Sequence, residues 1–164
     1  MDKRFRNSRP NSLKDFTMLE ARGWVIEQLN EIEIKMDIII TNHFQPKDER
    51  DFKRIMLNST IISFYNKVKI LRGVEIITDK DYTSITEMSR IRNGFAHQST
   101  SESLTIQISR KENEGAKLIE ATDKMDVMNS RGVIDGKDVR DWINIFHSIN
   151  ERVSLKLNGL IKSL

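Results

Sequence analysis

Arginine, asparagine and histidine crowd into one short stretch, Arg90-Ile91-Arg92-Asn93-Gly94-Phe95-Ala96-His97, inside an apolar helical period. An arginine set near a histidine suits work on a phosphodiester. A guanidinium holds phosphate oxygens in a planar fork and stabilises the charge that gathers on them in the transition state. An imidazole in its ordinary state titrates near neutrality, so it can take the proton from a ribose 2′-hydroxyl or return one to the leaving oxygen. The two groups suffice for metal-independent cleavage of RNA. Arg92 and His97 are therefore the candidate catalytic pair, with Asn93 placed to hold the imidazole or contact the phosphate. No acidic cluster has two-metal spacing and no Gly-rich phosphate loop occurs, so neither a metal nor a cofactor is expected.

Helical geometry constrains how the pair can act. Five residues apart, Arg92 and His97 stand about 140° apart on an ideal helix. Asn93 and His97, four apart, share a face, and Arg90 falls on that face too. One straight helix cannot aim Arg92 and His97 at the same phosphate. Two copies packed about a two-fold axis could do so, as could a helix that distorts at Gly94. A glycine in mid-helix costs about 1 kcal/mol relative to alanine, so Gly94 implies either close approach of another backbone or a helix loosening toward its end.

The stretch Arg92-Asn93-Gly94-Phe95-Ala96-His97 resembles the Arg-x4–6-His motif of HEPN domains, in the form that begins Arg-Asn and ends in His. Phe64-Tyr65-Asn66-Lys67-Val68-Lys69-Ile70-Leu71 and Ile91 to His97 look like the mannitol-repressor branch of that group. The resemblance covers roughly residues 20–98 and the final helix. It implies a helical bundle that dimerises around the motif helices. Many members are metal-independent endoribonucleases, often toxins or antiviral effectors, in which the Arg and His share a composite site. Those roles fall here on Arg92 and His97, with Asn93 in the polar position between them. Some members add an acidic residue upstream on the same helix, for which Glu87 is the nearest candidate. Mannitol-repressor relatives are described instead as transcriptional regulators.

The elements that must position these residues are mostly helical. A long helix is expected over about Lys14 to Asn42, its buried stripe formed by Leu19, Ile26, Leu29, Ile32, Met36, Ile39 and Ile40. Trp24 lies off the stripe's centre, packed either on another helix of the same chain or at a dimer surface. Pro46 marks a break. A short helix follows over Asp48 to Asn58, with Phe52, Ile55 and Met56 inward and Leu57 a further candidate for that face. Ser63 can cap a helix running from Phe64 to about Ile77, with Phe64, Val68, Leu71 and Val74 or Glu75 along one face and Lys67, Lys69 and Arg72 solvated. Thr78-Asp79-Lys80-Asp81 opens the motif helix, which carries Tyr82, Ile85, Met88 or Ser89, Arg92 and Phe95 and closes near His97.

Period-two alternation over Leu104-Thr105-Ile106-Gln107-Ile108, a turn at Lys111 to Gly115, and a second run from Ala116 to Ala121 predict an inserted β-hairpin near 104–121. Arg131 to Gly136 reads as a loop. Asp135 or Lys137-Asp138 starts the last helix, whose stripe is Trp142, Ile145, Phe146, Ile149, Val153, Leu157, Leu160 and Ile161. The fold class is mainly all-α, a bundle of four to five helices with one hairpin. Residues 13–164 are expected to form a single domain behind a disordered basic tail over 1–12.

Composition narrows the function classes. The absence of cysteine excludes disulfides and thiolate chemistry, and no apolar run has the length of a membrane span, so cytoplasmic residence and no membrane partner are expected. Lys3, Arg4, Arg6 and Arg9 against Asp2 account for the whole net charge of +3 and leave the remainder neutral. RNA must then be met by a local basic patch rather than by overall charge. A direct DNA-binding repressor is disfavoured, since no helix-turn-helix is readable. The leading expectation is a homodimer acting on RNA, with a protein antitoxin as a further partner. The alternative is a non-enzymatic regulator or protein-interaction module, in which His97 simply suits a helix C-terminus and Arg92 pairs with an acid of the first helix. His43 and His147 read as ordinary polar positions.

Overall fold

Thr17 opens the first helix with a reciprocal cap: its hydroxyl accepts from the Glu20 N–H, and the Glu20 carboxylate accepts from the Thr17 N–H at 2.9 Å. The computed structural model describes residues 17–97, 124–128 and 132–164. The predicted tail and the predicted hairpin at 104–121 lie outside them. Among the described residues the order is α1 (Met18–Phe44), α2 (Glu49–Asp51), α3 (Phe64–Gly73), α4 (Asp79–His97), β1 (Lys124–Met128), β2 (Ile134–Asp138) and α5 (Val139–Lys162). The architecture is the expected mainly helical bundle with one small antiparallel hairpin. Among the described residues no helix is long and apolar enough to cross a membrane.

α1 is the hub, packed against α3, α4 and α5, and α4 also packs against α3 and α5. The buried stripe of α1 runs through Ala21, Val25, Leu29, Ile32, Met36, Ile39 and Ile40. Leu19, expected in it, is 75% exposed, because it lies about 120° around the helix from Val25. Ile26 is only partly covered for the same reason. Trp24 is buried within its own chain, edge-on to Phe146 and stacked on the His147 ring at 5.9 Å. Of its two readings, the contact with another helix of the same chain is the one realised.

Three further expectations are corrected. The short helix after Pro46 passes from α2 into one wider turn over Phe52–Met56, closed by the Leu57 N–H donating to the Phe52 carbonyl. That extra residue per turn rotates Ile55 and Met56 outward, and only Leu57 of this segment is buried. α3 stops at Gly73, after which Glu75 takes a left-handed backbone. Part of the supposed loop at 131–136 is strand: Ile134–Asp138 pairs antiparallel with β1, Val127 opposite Asp135 and Asp126 opposite Gly136. On β1, Met125 and Val127 alternate into the core, whereas β2 offers no apolar alternation.

The largest departure is Lys67, assigned to solvent by its type but 1% exposed. It follows from α1, where Glu33 and Asp37 stand four residues apart on one ridge facing α3. The Lys67 ammonium donates to Glu33 Oε1 at 2.7 Å and to Asp37 Oδ2 at 3.0 Å, with Asp37 Oδ1 at 2.8 Å in a purely ionic contact. One cation thus holds two carboxylates at the α1–α3 seam. Burial pushes the Asp37 carboxyl above its ordinary value, against the downward pull of Lys67.

Lys67→Met strands both acids, and urea unfolding is expected to register a loss of about 3 kcal/mol. Adding Glu33→Gln and Asp37→Asn to the same chain should recover most of it. The pH dependence has a definite sign. The folded state holds the Asp37 proton more tightly than the unfolded chain, so this contribution to stability is complete below the ordinary carboxyl value. It declines as pH rises from there through the raised value. Asp37→Asn is expected to flatten that part of the stability–pH curve.

Candidate functional site

The motif lies in the last turns of α4, which is entered through a cap like that of α1: the Thr78 hydroxyl and the Asp81 carboxylate each accept from the other's N–H. Ser84, Ile85, Met88, Ile91 and Phe95 form the buried side. The helix runs without interruption from Asp79 to His97, through Gly94. Arg92 and His97 therefore do keep the separation of about 140° set by regular geometry. Arg92 falls between Met88 and Ile85 in projection and is half-buried, whereas Asn93 and His97 share an exposed face. Within one chain the structure brings Asn93 and His97 together and does not bring Arg92 to them. Among the described residues none of the three side chains has a hydrogen bond or ion pair.

Gly94 is held close by the side chains of β1, within a helix that stays regular. A Cβ there would stand 2.9 Å from Val127 Cγ2 and 3.6 Å from the Asp126 carbonyl oxygen. β1 packs directly on the motif helix at this point. It is also tied to α5, whose buried Trp142 indole donates to the Met125 carbonyl at 2.8 Å. The hairpin braces the face of α4 that carries Gly94 and leaves Asn93 and His97 exposed.

Glu87 and Arg90 form an ion pair with each other. Glu87 lies about 15 Å along the axis from His97, too far to orient its imidazole directly. The Arg90 guanidinium sits 5.9 Å from the Trp142 ring centroid, and the Lys137 ammonium stands 4.9 Å from the same ring. Arg90 Nε is buried without a hydrogen-bond partner. Arg90 is thus an anchor between α4 and α5, a role its sequence context did not disclose, since Trp142 lies 52 positions away. Among the described residues no group of three or more His, Asp or Glu side chains is arranged to hold a metal ion. His43 is exposed beside Phe44, and His147 is buried against Trp24.

Comparison with protein-family models, with curated proteins and with solved structures finds no match to this chain.

The contact at Gly94 is testable by coupling. Gly94→Ala alone is expected to lower stability by about 1 kcal/mol, because the clash with Val127 outweighs the gain in helix propensity. Combined with Val127→Ala, which removes the obstructing methyl, it should be less harmful than the two single changes added together. Thermal unfolding of the four proteins reads the coupling directly.

Proposed function

We propose that the chain acts as a HEPN-like homodimer that cleaves RNA without a metal ion, at a composite site assembled from Arg92 and His97 of two copies. The observation that carries this reading is the regularity of α4 through Gly94. It leaves Arg92 and His97 well apart on one helix and unengaged among the described residues. Of the two routes that could unite them on one phosphate, this favours pairing of two helix ends. The order Arg92-Asn93-Gly94-Phe95-Ala96-His97, with its resemblance to the HEPN motif, supports the same assignment. The setting is cytoplasmic, and a protein antitoxin that covers the helix ends is the partner such an activity calls for.

In this reaction the His97 imidazole of one copy takes the proton of a ribose 2′-hydroxyl. The 2′-oxygen attacks phosphorus, forming the O2′–P bond as the P–O5′ bond breaks. The 5′-oxygen leaves as a hydroxyl, accepting a proton from water, and the His97 imidazolium returns the proton it took to solvent. The products are a 2′,3′-cyclic phosphate and a 5′-hydroxyl end. The Arg92 guanidinium of the other copy meets the charge on the non-bridging oxygens, and Asn93 holds the imidazole or the phosphate. Glu87 acts through Arg90, keeping α4 seated on Trp142, rather than on the substrate.

A second reading is favoured by the exposed apolar end of the hairpin, where Met128, Val133 and Ile134 are each more than half open to solvent. That surface suits a non-enzymatic regulator or protein-interaction module of the mannitol-repressor kind. Purified protein incubated with mixed RNA in EDTA separates the two. Cleavage leaving cyclic phosphate ends, reduced about a hundredfold or more in Arg92→Ala and in His97→Ala, is the expected result. A folded protein that leaves every RNA intact transfers the assignment to the interaction module.

A further inference from the structure

Tyr65 on α3 and Tyr82 on α4 meet hydroxyl to hydroxyl at 2.6 Å, Tyr82 donating, with their ring centroids 6.2 Å apart. Each ring carries a cation. Lys69 Nζ stands 4.6 Å from the Tyr65 centroid, and the Arg72 guanidinium 4.7 Å from that of Tyr82. Arg72 is fixed there by Asp79 at 2.7 Å, whereas Lys69 has no carboxylate partner among the described residues. Tyr65 is exposed, and having accepted from Tyr82 it keeps its own phenolic proton for an outside acceptor.

The cluster is continuous with the motif. Tyr82, Thr86, Asn93 and His97 fall within about 60° of one another around α4 and extend over about 22 Å of its axis. None of the four is buried. Aromatic rings interleaved with cations suit a single-stranded nucleic acid, whose bases stack on the rings while its phosphates meet the cations. A duplex keeps its bases stacked inside, and an acidic peptide engages the cations without using the rings.

We propose that the Tyr65–Tyr82 cluster is a binding subsite for single-stranded RNA. One base stacks on Tyr65, the adjoining phosphate meets Lys69, and the strand runs along the α4 stripe toward Asn93 and His97. The choice of RNA rests on the ribonuclease reading above; the pairing of rings and cations does not.

The test uses the full-length protein and a fluorescein-labelled 2′-O-methyl uridine oligomer, which cannot undergo 2′-oxygen attack, with binding read by anisotropy at low salt. Tyr65→Ala is expected to weaken binding about tenfold, and Tyr65→Phe, which keeps the ring, to stay within about twofold of wild type. Lys69→Ala, an exposed change that spares the fold, should weaken binding about threefold and make it less salt-dependent. Three results overturn the subsite: no binding of the oligomer, affinity indifferent to both Tyr65→Ala and Lys69→Ala, or displacement by polyglutamate as effective as by unlabelled RNA. Cleavage of unmodified RNA is followed in parallel. Binding that depends on Tyr65 without any cleavage removes the ribonuclease reading and leaves the subsite standing. Cleavage with binding indifferent to Tyr65 and Lys69 does the reverse.

Discussion

The close approach of β1 to α4 at Gly94 is the contact on which the presentation of the motif depends. A side chain at that position would collide with Val127, so the missing Cβ is what lets the strand lie on the helix. Glycine alone would weaken the end of a helix by about 1 kcal/mol. The packed strand offsets this loss, and the Trp142–Met125 hydrogen bond ties that strand to α5 in turn. Arg90 completes the junction, paired with Glu87 and laid near the Trp142 ring. The end of α4 is therefore held as regular helix, and its regularity keeps Arg92 and His97 on different faces. Local backbone chemistry, tertiary packing and the proposed need for a second copy form one chain of consequences.

Elsewhere the bundle is aligned by polar contacts within an apolar seam. Asn150 donates to Gln28 at 2.8 Å and Lys35 to Ser154 at 3.2 Å, both between α1 and α5. Apolar packing tolerates a slide of one helix along another far better than these directional contacts do. Arg152 of α5 donates to the Ser84 hydroxyl of α4 at 2.7 Å, and the Lys67 cluster does the same service between α1 and α3. α4 thus inherits its position from polar contacts as much as from the burial of Ile91 and Phe95.

Much of the scaffold was legible because its signals are local. The caps at Ser63, Thr78 and Asp138 rest on side chains within three residues of the groups they satisfy. The α5 stripe was legible through Trp142, Phe146, Val153 and Leu157, but its centre lies further round the helix: Ile143 and His147 are buried, and Ile145, Ile149, Leu160 and Ile161 are only partly covered. What failed was decided by residues far apart in sequence. Nothing beside Lys67 says that it will be buried; Glu33 and Asp37 do, 34 and 30 positions earlier. β2 was hidden because Ile134-Asp135-Gly136-Lys137-Asp138 lacks alternation and is a strand only through its pairing with β1. At the candidate site, the cost of Gly94 pointed to the close approach of another backbone, whereas the atom that excludes a side chain there is a Val127 methyl of β1. The expectation that Arg92 and His97 cannot converge on one straight helix was legible from spacing alone, since 3.6 residues per turn fixes it once the helix is regular.

Complementation between copies tests the composite site most directly. Arg92→Ala and His97→Ala proteins, each inactive alone, are refolded together and assayed for metal-free RNA cleavage. In a symmetric pair with each site drawing one residue from each copy, half the dimers are mixed and each mixed dimer has one intact site. The account predicts recovery of about a quarter of wild-type activity. A mixture as inactive as either variant, from protein shown to exchange partners while the wild type cleaves, would contradict it.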